Sequence, residues 1–248
     1  MTGVWLGEAV LADGLFIVFE GGEGAGKSTQ AERLYRRLAE ARRAALLVRE
    51  PGTTPLGLHL REYLKSKQPL TPESELLLFA AARAQLVADQ IRPSLEKGAT
   101  VISDRFSGST VAYQGYGRAV RRDVIDYLNN YATGGLNPDI TFLLDIDPEE
   151  GLHRVGKPQL QLALSPDAAV DVGRADVEGH RRFEDQPLAF HNRVRRGYLD
   201  LAESGPNWHI VDAALPEEEL DEYIWDIVSR RLPQATAYQA TANTPALL

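Results

Sequence analysis

The sequence predicts an α/β domain: a five-stranded parallel sheet flanked by helices on both faces. Three observations carry that expectation. Short continuous apolar runs such as "GLFIVFE" and "ITFLLDI" suit strands buried on both sides. Helical patterns separate these runs, and such alternation is how right-handed crossovers join parallel strands. The stretches "EGGEGAGKS", "EPGTT", "DRF" and "DPEE" each follow a strand-like run. In open α/β sheets, ligands sit at those carboxyl ends.

The elements follow in order. The first run ends in a glycine loop. Residues 27–42 read as a helix, with Leu34, Leu38 and Ala41 on one face and Arg33, Arg36 and Arg37 elsewhere. "AALLVRE" is a second strand, stopped by Pro51-Gly52. Residues 72–97 form one long helical stretch; Pro72 suits its first turn, and Pro93 should bend or split it. "ATVISD" is a third strand, 121–132 a helix, "ITFLLDI" a fourth strand and 187–204 a helix. "WHIVDA" is the fifth strand, and 216–232 a last amphipathic helix. Residues 156–180 break the alternation and read as a mobile segment. The final stretch, "PQATAYQATANTPALL", has low complexity and is expected to lack packed structure. The chain therefore divides into an extension at 1–14, a domain at 15–232 with a lid at 156–185, and a tail at 233–248.

Composition narrows the function. With 27 basic and 35 acidic residues, the net charge of −8 argues against binding nucleic-acid polymers through bulk phosphate attraction. The absence of cysteine excludes disulfides and cysteine-based metal sites and fits a cytoplasmic protein. No apolar run reaches the roughly 18–20 residues of a membrane span, so no membrane partner is expected. The first residues contain Glu8 and Asp13 and lack a basic start, a poor match to a secretory signal.

Gly21-x4-Gly26-Lys27-Ser28 is a complete phosphate-loop motif between a strand and a helix. Phosphate oxygens need several backbone N–H groups aimed inward at once, and glycines permit that nest. The helix start adds its positive dipole end. ATP contacts are thus expected from Gly21, Gly22, Glu23, Gly24, Ala25, Gly26, Lys27, Ser28 and Thr29. Lys27, expected to be exposed in the loop, would reach the β- and γ-phosphates, and the Ser28 hydroxyl would ligate Mg²⁺. The loop fits a kinase, an ATPase motor or a GTPase switch; the missing Asn-Lys-x-Asp guanine motif weighs against the last.

"FEGGEGAGKSTQ", "REPGTT", "LLLFAAARAQ", "SDRFSGSTVAYQGYGR" and "AFHNRVRRGYLDLA" occur in the order found in the thymidylate kinase family, and the chain resembles that family over about residues 15–212. The resemblance implies a phosphate-loop kinase fold with a mobile lid. It implies a homodimer that transfers a phosphoryl group from Mg·ATP to dTMP. Asp104, after a buried strand, would hold Mg²⁺ through water, and Arg105 would take the acceptor phosphate with its fork of donors. Phe79 and Arg83, four apart on a helix, share a face. The resemblance stacks the base on Phe79 and bonds its carbonyl to Arg83. Thr110, Tyr113 and Gln114 would line base and sugar, with Tyr113 crowding the 2′ position.

Glu23 is out of place beside a phosphate nest unless it serves something else. In the resemblance it hydrogen-bonds the acceptor's 3′-hydroxyl and acts as an alignment device. Glu50 either orders Mg²⁺ waters or ties down its loop, and Glu184 contacts the acceptor. Gly22, Glu23, Gly24 and Ala25 bring no arginine into the loop interior, so the lid must meet the charge that develops in transfer. Arg174 is the first choice by its match to the lid's "GR" position, with Arg182 next. Arg181 departs from the acid common before the following arginine, and the stretch ahead of Arg174 is long for the family. Other acceptors (dUMP, CMP or AMP) and a non-kinase ATPase remain as alternatives.

Overall fold

The computed structural model describes residues 14–66, 68–156 and 181–232. Five strands form one parallel sheet: β1 (Phe16–Glu20), β2 (Ala45–Arg49), β3 (Thr100–Asp104), β4 (Ile140–Asp145) and β5 (Trp208–Asp212), in the order β2-β3-β1-β4-β5. The expected sheet is therefore present. β1 sits in the middle, with Phe19 level with Asp104 on one side and Phe142 on the other. Its loop thus leaves the sheet between the carboxyl ends of β3 and β4.

The apolar strand residues alternate between two cores. Ile17, Phe19, Ile102, Phe142 and Leu144 face α1 (Lys27–Glu40) and α10 (Glu217–Ser229), meeting Leu34, Leu38, Leu220 and Ile224. Phe16, Val18, Val48 and Val101 face the other way, onto Leu86, Val87 and Ile91. Of the face expected on α1, Leu34 and Leu38 are buried, but Ala41 has left the helix and is exposed.

The stretch 72–97 comprises α3 (Pro72–Leu86), a π-helical turn at Val87–Ile91 and α4 (Arg92–Glu96). The Arg92 N–H reaches back five residues to the Val87 carbonyl. Pro93 lacks an N–H and clashes with the carbonyl four residues before it, and the widened turn ahead of it relieves that conflict. A second π-helical turn, Val111–Gly117, follows the short α5 (Ser107–Thr110).

Four elements add to the expected set: α2 (Pro55–Lys65), α5, α7 (Pro148–Gly156) and the short α8 (Arg181–Glu184). α2 begins as α3 does. Thr54 caps it by accepting from Gly57 N at 3.0 Å, and Thr71 accepts from Ser74 N at 3.2 Å. Each cap is followed by a proline at the helix start. α6 (Arg122–Thr133) and α9 (Leu188–Ser204) complete the set. Among the described residues, no helix is long and apolar enough to cross a membrane.

Candidate active site

The loop between β1 and α1 is shaped by two of its glycines. Gly24, at φ 69°, lies against α7: a Cβ there would sit 2.0 Å from the Gly151 carbonyl oxygen. Gly26, at φ 85°, caps α1, and a Cβ on it would meet nothing within 4 Å. Gly24 is therefore required by packing, while Gly26 leaves open the face where helix N–H groups point outward, as a phosphate cradle needs.

Lys27 departs from the expected exposure. It is the first residue of α1 and only 7% exposed, with Nζ donating to the Gly22 carbonyl at 2.6 Å. The helix start draws its stem inward and folds the ammonium back over the loop. Burial, with Arg105 nearby, pushes the ammonium down to about 8, so it stays mostly charged at neutral pH.

Ser28 Oγ donates to Asp104 Oδ2 at 2.6 Å, so the two expected metal-site residues meet. Burial pushes the Asp104 carboxyl up, but Arg49, Lys27, Arg105 and the Ser28 bond together hold it below its usual range. Among the described residues no group of three or more His, Cys, Asp or Glu could cage a metal. One hydroxyl and one ionised carboxylate beside a phosphate cradle suit Mg²⁺, which keeps waters and takes its remaining oxygens from phosphates.

Arg105 holds a left-handed backbone, φ 75°, that is strained for any residue except glycine. Its side chain shows what stabilises it. Nη1 donates to Gly21 O, Ser109 Oγ and Tyr198 OH, each at 3.2 Å. Nη2 donates to Glu23 Oε1 at 3.1 Å and Tyr113 OH at 3.3 Å. Tyr113 OH in turn donates to Glu23 Oε1 at 2.6 Å. The loop acid thus answers to an arginine and a phenol. Behind them Glu20 is buried and accepts from the backbone N–H groups of Phe106 (3.0 Å) and Ser109 (2.9 Å) and from Tyr198 OH (3.1 Å). Burial raises its pKa against the lowering effects of the Ser109 hydroxyl bond, of Arg105 and of the two backbone N–H bonds.

The base side differs more from expectation. Phe79 is half-buried, with its ring 6.3 Å from that of Phe183. Arg83, expected beside it as a donor to the base, is buried, with four of its five N–H groups engaged. Nε donates to Glu50 Oε2 (2.7 Å), Nη1 to Asn129 Oδ1 (2.7 Å), and Nη2 to Phe106 O (3.1 Å) and Thr110 Oγ1 (2.9 Å). One Nη1 hydrogen remains for a base. Thr110 and Gln114, expected to line the nucleotide, are buried; Gln114 Nε2 donates to Glu75 Oε1 at 2.9 Å. Asn129 of α6, the Phe106 carbonyl and Thr110 enclose Arg83, while Glu75 of α3 engages Gln114. The Glu50 side chain ties α3 to the loop after β2 through Arg83, and its backbone N–H donates to the Asp104 carbonyl at 3.1 Å. Burial pushes its carboxyl up to about 7 against the pull of Arg83.

Glu184 lies at the end of α8 and is half-buried, and Arg182 belongs to the same helix. Arg174 lies outside the described residues, as do 1–13, 157–180 and 233–248. Thr29 follows Ser28 in α1. The sequence reading missed Arg49, whose Nε donates to Asp104 Oδ2 at 3.0 Å, although "REPGTT" had been singled out. It also missed Glu20 and Tyr198. A glutamate ending an apolar strand was the available signal for the first; nothing local marks the second.

The Arg105–Glu23 contact joins the phosphate loop to the turn after β3. That loop, following the central parallel strand and opening α1, marks a phosphate-loop protein. The family model for thymidylate kinase matches residues 19–161. The thymidylate kinase of Deinococcus radiodurans is 44% identical over 223 residues, 89% of this chain and 99% of its own. That of Thermomicrobium roseum is 45% identical over 215 residues, 86% of this chain and 94% of its own. The crystal structure of thymidylate kinase from Ehrlichia chaffeensis superimposes with a TM-score of 0.65 at 31% identity, covering 87% of this chain and 99% of that one. The chain belongs to the thymidylate kinase family.

Proposed function

We propose the following roles for the reaction at this cleft. The chain phosphorylates dTMP to dTDP with ATP as phosphoryl donor. The observation that carries the assignment of roles is Glu23, a phosphate-loop carboxylate held by both Arg105 and Tyr113. The loop of residues 21–26, with Lys27, Ser28 and Thr29, holds the ATP phosphates. Mg²⁺, held by Ser28 and by Asp104 through water, would neutralise charge between the β- and γ-phosphates. Arg105 draws the acceptor phosphate toward the cradle, and Glu23 accepts from the acceptor's 3′-hydroxyl. Tyr113 stands where a 2′-hydroxyl would crowd it.

Phe79 offers its exposed ring face to the base, and Arg83 its remaining N–H. Glu50, Thr110 and Gln114 hold the wall behind these groups, and Glu184 borders the acceptor. Phosphoryl transfer depends on such positioning more than on base catalysis. With no arginine in the loop interior, Arg174 or Arg182 supplies the charge that meets the transferring group.

The protein acts in the cytoplasm as a homodimer. Tyr127 and Tyr131, stacked on α6 and 68% and 77% exposed, and Leu77 on α3 supply an apolar face that supports pairing. Turnover of purified protein with dTMP, dUMP, CMP and AMP in turn tests the assignment. Preference for dTMP is expected; a stronger preference for another acceptor would reassign the base site. ATP hydrolysis indifferent to every monophosphate would remove the kinase reading.

A further inference from the structure

Glu20 ends β1 at the centre of the sheet, is 1% exposed, and has no part in the roles above. Its two oxygens do separate work. Oε1 accepts from the backbone N–H groups of Phe106 (3.0 Å) and Ser109 (2.9 Å). Phe106 precedes α5 and Ser109 lies in its first turn, so Glu20 supplies the cap that the Phe106 side chain does not. Oε2 accepts from Ser109 Oγ at 2.5 Å and from Tyr198 OH at 3.1 Å. Four donors around one carboxylate favour its ionised form, against the burial that raises its pKa.

Both sets of bonds lead to Arg105. The peptide before it donates from Arg105 N to Phe19 O at 2.9 Å, and the peptide after it donates from Phe106 N to Glu20. The end of β1 thus holds both peptides that flank the left-handed residue. At the tip of the side chain, Nη1 donates to Ser109 Oγ and Tyr198 OH, the same two hydroxyls that donate to Glu20. These hydroxyls lie 2.8 Å apart and form one relay. A carboxylate only accepts, so it draws the hydroxyl hydrogens to itself and leaves oxygen lone pairs facing the guanidinium. Burial, with Glu20 beside it, raises the Tyr198 pKa, so the phenol keeps the hydrogen this needs. The guanidinium is planar and rigid, so fixing Nη1 fixes the aim of its remaining donors.

We propose that Glu20 is a positioning residue for Arg105: it holds the strained backbone through Phe106 and aims the guanidinium at the acceptor phosphate through Ser109 and Tyr198. The proposal rests on the reading of Arg105 given above.

The test is the ratio of dTMP affinity to thymidine affinity, measured by calorimetry on the full-length chain. The two ligands differ by the phosphate alone, so a general loosening of the site moves both and leaves the ratio. Glu20→Gln keeps the volume, and its amide oxygen stays with the two backbone N–H groups, which need an acceptor. Its NH₂ then faces the two hydroxyls and turns their hydrogens toward Nη1. The ratio should fall about tenfold, the scale of one hydrogen bond to a charged group. Losing a negative charge would by itself favour the phosphate, so an unchanged or raised ratio overturns the proposal. Where Glu20→Gln does not fold, the double variant Ser109→Ala with Tyr198→Phe removes both hydroxyls and leaves Glu20 in place. It should lower the ratio by a similar factor, and an unchanged ratio there overturns the proposal. Arg105→Ala separates the two layers. It should lower the ratio at least as far, and adding Glu20→Gln to it should change the ratio no further. A further tenfold fall would mean that Glu20 acts other than through Arg105, which also overturns the proposal. If Arg105→Ala alone leaves the ratio unchanged, the reading of Arg105 is wrong and the proposal goes with it.

Discussion

Arginine meets carboxylate in two quite different settings in this chain. In the cleft, Arg83 and Glu50 are 2.7 Å apart with side chains 2% and 5% exposed. Along the seam between α1 and α10, Arg33 meets Glu217 at 2.9 Å with side chains 31% and 60% exposed, and Arg37 meets Asp221 and Glu222. The distances are nearly equal, and the consequences are not. At the seam, water replaces a lost partner, so such pairs add about 0–1 kcal/mol. In the cleft no water substitutes, and each charge depends on its particular partner. The seam tolerates rearrangement; in the cleft, rearrangement would leave a buried polar group without its partner.

The sharpest way to break that contrast is Arg83→Met. It leaves Asn129, the Phe106 carbonyl and Thr110 without their buried donor as well as Glu50 without its partner, and should cost about 3–5 kcal/mol in urea unfolding. A loss below about 1 kcal/mol would place this pair with those of the seam. Lys27→Ala comes next. Its effect should fall on the reaction: about 10³-fold in turnover, or about 4 kcal/mol of barrier, measured by steady-state kinetics beside circular dichroism to confirm the fold. Turnover within about tenfold of the parent would remove Lys27 from the phosphate cradle.

A smaller effect concerns pH. The Glu50 carboxyl is raised from 4.5 to about 7 in the folded chain. Folding therefore favours its protonated form. Its contribution is complete below pH 4.5 and is lost as pH rises toward 7. Glu50→Gln should remove that part of the decline, so the variant's Tm should gain on the parent's by a few degrees between pH 5 and 7, at about 2–4 °C per kcal/mol for a chain of this size. A Tm difference that is flat across this range would show that Arg83 keeps Glu50 ionised. The smallest effect is expected from Arg33→Ala: at most about 1 kcal/mol, disappearing in 1 M salt. A larger or salt-insensitive loss would make the seam a second structural anchor.

Much of the fold was legible because its signals are local. Buried parallel strands read as apolar runs, and all five were found where those runs lie. α2 was missed although Thr54-Pro55 repeats the Thr71-Pro72 start of α3, because Leu56 and Leu58 are exposed and blur the apolar face. In the site, the motif residues Lys27, Ser28, Asp104, Arg105 and Glu23 do converge. Phe79 and Arg83 were paired from their spacing, and Thr110 and Gln114 came from the resemblance alone; neither signal shows what packs around a side chain, and Arg83, Thr110 and Gln114 are all buried. Residues 156–180 gave no period to read, and Arg174 within them lies outside the described residues.

The sequence by itself determined the parallel sheet, the phosphate loop and the family. Each is written in contiguous residues, since a strand's burial, a loop's glycines and a helix's start are set by their neighbours. The tertiary structure alone decided that Lys27 is buried, that Arg83 engages Glu50, Asn129, Phe106 and Thr110 with four of its five N–H groups, and that Glu23 answers to both Arg105 and Tyr113. Those contacts span from five residues, Lys27 to Gly22, to ninety, Tyr113 to Glu23. A charge's partner and exposure depend on what the fold packs around it, and that information is spread over segments whose meeting no local pattern records.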